Sequence, residues 1–125
     1  MIAGTLFAAL AVALGAFGAH GLQKISTDEK IIHGYQTAVQ YQFWHALALL
    51  FTGMLYEKLD TRLMKWAARS FINGIILFSG SLYMLTYLKI RESSLIKIAG
   101  PITPLGGLLF ITGWLLLLVA LWRKK

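Results

Sequence analysis

In Pro101–Trp122, PITPLGGLLFITGWLLLLVALW, no residue is charged, and the run stops at Arg123-Lys124-Lys125. An α-helix rises about 1.5 Å per residue, so about 20 apolar residues cross a hydrocarbon core about 30 Å thick. A barrel strand would need about 10 residues and would alternate polar and apolar positions. In lipid every backbone amide must be bonded within its own segment or in a closed barrel, so an unbroken run of this length reads as a transmembrane helix. Pro101 and Pro104 sit in its first turn, where a missing N–H has no helical partner to lose.

Three further long apolar runs precede it, giving spans of about 1–22, 35–56, 66–88 and 101–122. The first run has no basic residue in Met1-Ile2-Ala3-Gly4, so it is expected to be a retained helix and not a cleaved signal peptide. The connections are short and charged, which makes sequential helices antiparallel neighbours. The predicted fold is all-α: a polytopic membrane protein whose residues 1–125 form a single four-transmembrane-helix antiparallel bundle. Ser26 and Glu29 match the capping-box spacing, which predicts a helix start near Thr27 ahead of the second span.

Composition agrees with this solvent. Of 125 residues, 58% are hydrophobic and 14% charged, against about 25% charged in soluble domains; mean hydropathy is +0.67. The net charge of +7 comes from basic residues between the runs and at their ends, where they anchor helices and meet anionic lipid headgroups. With no separate soluble domain, nucleic-acid binding is not expected. The absence of cysteine excludes disulfides and thiolate catalysis. Lys58, Arg62, Lys65, Arg69, Arg123, Lys124 and Lys125 lie on one side of the membrane, against Lys24, Lys30, Lys89, Arg91 and Lys97 on the other. Basic residues favour the cytoplasm, so both termini are placed there.

Lipid provides no hydrophobic drive between helices, so small residues that allow close approach must carry much of the packing. Gly4, Ala8, Ala11, Gly15 and Gly18 form such a stripe on the first span; Gly80 on the third and Gly106 and Gly113 on the fourth are further packing candidates. Asn73 is expected to hydrogen-bond to a neighbouring helix.

Groups for catalysis are scarce. Asp28, Glu29, Glu57, Asp60 and Glu92 all fall in connections or at span ends, so no paired carboxylates reach a shielded site. No phosphate loop, nucleophile elbow or HExxH motif is present. The histidines, His20, His33 and His45, are widely spaced and carry no local metal-site signature; neither a metal nor a cofactor is expected. An ionisable residue inside a span does mark a functional candidate. His20, Gln42, His45, Ser79, Tyr83 and Thr103 share the membrane half nearest the first and third connections and form a candidate polar pocket. The plainer reading of His45 is an interhelical hydrogen bond.

The segments Gly15-Ala16-Phe17-Gly18-Ala19-His20-Gly21-Leu22, His45-Ala46-Leu47-Ala48-Leu49, Phe78-Ser79-Gly80-Ser81-Leu82-Tyr83, Pro101-Ile102-Thr103-Pro104-Leu105-Gly106-Gly107 and Gly113-Trp114 together resemble the small YgdD/YwdK-type bacterial inner-membrane proteins. The resemblance covers nearly the whole chain. It implies a polytopic protein of the bacterial plasma membrane of uncharacterised function, and it supplies no catalytic or binding residues. The expectation is therefore a non-enzymatic structural or interaction role, in membrane integrity or a partner complex. The alternative is a small-solute or ion pathway lined near His45 and built by self-association into a homo-oligomer.

Overall fold

Two aspartates set where helices begin. Asp28 is extended, and its carboxylate accepts from the Lys30 amide at 2.9 Å; Asp60 accepts from the Arg62 and Leu63 amides at 2.9 and 3.1 Å. Each satisfies amides that a helix start leaves without backbone partners. The expected cap is thus displaced: Asp28, not Ser26, caps the second helix, and Ser26 Oγ instead accepts from the Asp28 amide at 3.2 Å. The computed structural model describes residues Met1–Lys124. It contains four long helices, α1 (Ile2–Ile25), α2 (Glu29–Leu55), α3 (Thr61–Ile90) and α4 (Ile96–Arg123), with no strand among the described residues. A wider π-type turn interrupts α1 at Gly18–Leu22 and α3 at Ile75–Ser79, and α4 has a short turn at Gly100–Pro101.

Three of these helices, α1, α3 and α4, are long and apolar enough to cross a membrane. The sequence expectation was four. The shortfall is α2, where Gln36, Gln40, Gln42 and His45 lower the mean hydropathy although no charged side chain lies between Lys30 and Glu57.

Successive helices run antiparallel. Along α1 and α2, Gly4 meets Leu50, Gly15 meets Val39 and Gly18 meets Tyr35. Along α3 and α4, Gly106 meets Phe78, Phe110 covers Gly74 and Gly113 meets Phe71. Helix α2 also packs against α3, whereas no close backbone packing joins α1 to α4. The cross-section is a diamond: α2 and α3 touch across its short diagonal, and α1 and α4 occupy the far corners. The main apolar core lies along that diagonal and its α4 side, around Ala48, Leu49, Ala67, Phe71, Ile75 and Phe110. A second cluster, Leu59, Met64, Leu117 and Ala120, closes the end that holds the chain termini.

The predicted stripe on α1 does face α2: Gly4, Ala11 and Gly18 are buried, Ala8 and Gly15 half-buried. Gly106 and Gly113 are close-approach sites, against Phe78 and Phe71. Gly80 is not; a Cβ built there meets nothing within 4 Å. Asn73 also departs from expectation, since it is exposed and makes no hydrogen bond to a described residue. Both lie on the outward side of α3, away from the diagonal that the buried Phe71, Ile75 and Ser79 define. Arg69 falls inside the third predicted span, but its guanidinium returns to stack over Trp66, 5.2 Å from the ring centre. At the opposite end Arg91 stacks over Tyr87 at 5.6 Å. The helical rise from Trp66 to Tyr87 is about 32 Å, which matches the hydrocarbon thickness.

Candidate functional site

The polar side chains of the spans are satisfied first by their own helices. Thr52, Thr86 and Thr112 donate to the carbonyls of Ala48, Leu82 and Leu108, at 2.8, 2.9 and 2.8 Å. This is the four-residue back-bond that lets a hydroxyl enter lipid without an outside partner. No buried side-chain nitrogen or oxygen among the described residues lacks a partner.

Several other buried groups form interhelical bonds. Gln42 lies where α1, α2 and α3 meet. Its Nε2 donates to the Phe7 carbonyl at 2.9 Å, and its Oε1 accepts from the Tyr83 hydroxyl at 2.7 Å. Tyr35 packs 5.3 Å from the Tyr83 ring and donates its hydroxyl to the Leu14 carbonyl at 2.6 Å. Ser79 Oγ donates to the Ala38 carbonyl at 2.8 Å, and Ser81 pairs with Thr103 at 2.6 Å.

His45 is held apart from this string. Its ring stacks on Phe110 with centroids 3.5 Å apart and planes 9° from parallel. Tyr41, Phe71 and Trp114 close the other sides at 5.8, 5.9 and 6.2 Å. Trp114 Nε1 lies 3.3 Å from His45 Nε2. An indole nitrogen can only donate. Nε2 is therefore the acceptor, and Nδ1 carries the proton that reaches the Tyr41 carbonyl at 2.7 Å. Both ring nitrogens are engaged by a neutral imidazole inside an aromatic cage.

The candidate pocket residues thus share neither a depth nor a cavity: His45 is level with Phe71, toward the end that holds the termini, whereas Tyr83 and Thr103 lie toward the other end, beside Tyr35 and Ser81. Gln42 and Tyr83 are bonded to each other. Ser79, Thr103 and His45 each bond to a different partner. His20 is exposed at the end of α1 and bonds the Ala16 carbonyl at 3.1 Å. Sequence reasoning did not single out Tyr35, Ser81 or Trp114 for these bonds. Ser81 and Trp114 stand there only within the segments that carry the resemblance, and only the phase of each helix against its neighbours shows what these three residues meet. Among the described residues no group of three His, Cys, Asp or Glu could hold a metal ion.

Two of the open grooves toward the end bearing the first and third connections run between helices. One, of about 550 Å³, runs between α1 and α3 and is lined by Phe17, Tyr35, Tyr83, Thr86 and Arg91 among others. The other, of about 380 Å³, runs between α1 and α2 and is lined by Gly15, Gly18, Gln23, Gln36 and Gln40. Neither is lined by His45.

Comparison with known proteins gives a family. The model described as "Protein of unknown function (DUF423)" matches residues 14–107. A UPF0382 membrane protein of Staphylococcus aureus is 44% identical over 123 residues, covering 98% of this chain and 94% of the relative. The UPF0382 membrane protein YwdK of Bacillus subtilis is 44% identical over 121 residues, covering 96% and 93%. A UPF0382 membrane protein of Schizosaccharomyces pombe is 40% identical over 112 residues, covering 88% and 90%; the relatives are therefore not confined to bacteria. No solved structure matches. An all-helical chain with three span-length apolar helices, matched along three quarters of its length by one family model, belongs to the DUF423 family, and its relatives are named UPF0382 membrane proteins.

Proposed function

We propose that this chain is a four-crossing protein of the bacterial plasma membrane with a non-enzymatic, structural or interaction role, in membrane integrity or a partner complex. The fourth crossing is α2. It lies antiparallel beside α1 from Gly4–Leu50 to Gly18–Tyr35, so a bilayer that α1 crosses is one that α2 crosses too. Its polar residues do not oppose this, because Gln42, His45 and Thr52 are buried and bonded inside the protein. The surplus of basic residues beside the termini supports a cytoplasmic location for both, and the basic loops are suited to anionic headgroups.

The observation that carries the non-conducting role is the His45 cage. A proton or ion relay needs an ionisable group that water can reach. His45 has both nitrogens occupied and its ring covered by Phe110.

The test is flux through proteoliposomes loaded with pH- and ion-sensitive dyes. The expected result is proton, sodium and potassium flux equal to that of protein-free vesicles, unchanged by His45→Ala. Flux that His45→Ala abolishes would replace this role by the pathway reading. Topology is checked separately. The chain has no native cysteine, so Lys58→Cys and Lys89→Cys should be labelled from opposite sides of the membrane.

A further inference from the structure

Two features of α3 have no explanation within one copy of the chain. Asn73 turns its amide outward. It stands about two helical turns along α3 from the Trp66 ring level, and therefore in hydrocarbon. It makes no hydrogen bond to a described residue. An amide left unpaired in a medium without hydrogen-bonding groups is strongly disfavoured. Gln36 and Gln40 also face outward, but they line a groove that reaches the headgroup level at Gln23, whereas Asn73 lines neither of the two grooves described above.

Gly80 is the second feature. Glycine inside a helix is unfavourable relative to alanine because it has more backbone freedom to lose. Gly106 and Gly113 are explained by helices that approach them closely; a Cβ on Gly80 would meet only open space. Asn73 and Gly80 lie on one outward strip of α3 with Ile76 and Met84, which are 54% and 55% exposed.

We infer that this strip is the contact face of a homodimer in the membrane. Only a close-packed helix accounts for both features, because it brings a hydrogen-bonding partner to Asn73 and needs the bare backbone at Gly80. A second copy of α3 fits best. A carboxamide both donates and accepts, so Asn73 can pair with Asn73 of the partner subunit across a two-fold axis, without any other chain. The strip carries no charged residue between Arg69 and Lys89, so two copies meet without repulsion in the hydrocarbon. The inference rests on α3 crossing the bilayer and is independent of the role proposed above.

The experiment is single-molecule photobleaching of the full chain in liposomes at graded protein-to-lipid ratios, with disulfide trapping of Ile76→Cys. Wild type should be a dimer. Ile76→Cys should trap a covalent dimer, and Val12→Cys, on the exposed side of α1, should not. Asn73→Leu should raise the dissociation constant on the order of tenfold, and Gly80→Leu should also weaken the dimer. Neither residue is packed inside a single copy, so both variants should keep the wild-type circular dichroism spectrum. A wild type that stays monomeric while resisting alkaline extraction would overturn the dimer and leave the membrane reading intact. So would a dimer that Asn73→Leu and Gly80→Leu leave unchanged. Loss from the membrane on alkaline washing would instead remove the bilayer crossing on which the inference depends.

Discussion

Gly106→Ala tests whether α3 and α4 are held together by backbone contact. A Cβ on Gly106 would lie 2.7 Å from both Cα and Cβ of Phe78 and nearer still to its amide nitrogen. Carbon atoms prefer about 3.5–4.0 Å, so the helices must part by about 1 Å. No rotamer change relieves this, since the obstacle is mostly main chain. Overpacking typically costs about 1–3 kcal/mol, and a clash with backbone belongs at the upper end, near about 3 kcal/mol. Gly113→Ala is milder in kind: its Cβ would meet the Phe71 ring at 2.7 Å, and a ring can tilt where a backbone cannot. Gly80→Ala should cost the isolated subunit nothing, or stabilise it by about 0.5–1 kcal/mol through reduced chain freedom. The assay is reversible unfolding of dilute protein in mixed micelles by increasing SDS, followed by tryptophan fluorescence. The expected order of stability is Gly80→Ala, then Gly113→Ala, then Gly106→Ala. Equal stabilities for Gly106→Ala and Gly80→Ala would refute the close approach.

The same unfolding assay reads four further substitutions. His45→Ala removes the ring stacked on Phe110 and leaves the Trp114 N–H without its acceptor. A loss of about 2–4 kcal/mol is expected, and no loss would mean that the cage is not a structural element. Asp60→Ala removes the cap on α3 and should cost about 1 kcal/mol. The contact of Arg123 with Asp60 is 3.9 Å long and exposed. Arg123→Ala should therefore cost less than Asp60→Ala, since exposed ion pairs contribute little; the reverse ranking would mean that the ion pair, not the cap, matters. Glu92, at the end of α3, has a positive φ of 53°. That is the left-handed region that glycine adopts most easily. Glu92→Gly should stabilise by up to about 1 kcal/mol, and a clear destabilisation would contradict that backbone geometry.

How far the sequence could be read follows from what hydropathy measures. Long apolar runs gave all four spans, 35–56 included, but mean hydropathy summed along each helix supports a crossing only for α1, α3 and α4. It undervalues α2, since Gln42 and His45 count as polar wherever they point, yet both are bonded inside the protein. Azimuth was harder than depth. Gly80 and Gly106 look alike in a pattern of small residues, and only the packed structure separates an open surface from contact with Phe78. Asn73 was misjudged for the same reason, as its phase relative to Phe71 and Ile75 turns it outward. The candidate pocket failed to converge because His45 stands level with Phe71 while Tyr83 and Thr103 lie nearer the other end of the bundle, and because each residue faces a different neighbour. Ser26 was displaced as cap by Asp28 because several polar residues in that connection can accept from a helix start, and short-range spacing does not rank them.

The bonds of Gln42 carry a consequence for biogenesis. On the four-crossing reading, α2 by itself keeps only the His45 bond to the Tyr41 carbonyl; Gln42 and His45 Nε2 take their other partners from elsewhere in the chain. Gln42 finds the Phe7 carbonyl already made, but its second partner, Tyr83, and the Trp114 that completes His45 are synthesised later. The polar bonds of the first two helices are thus completed only by residues of the last two, so neither half of the chain satisfies its buried groups alone.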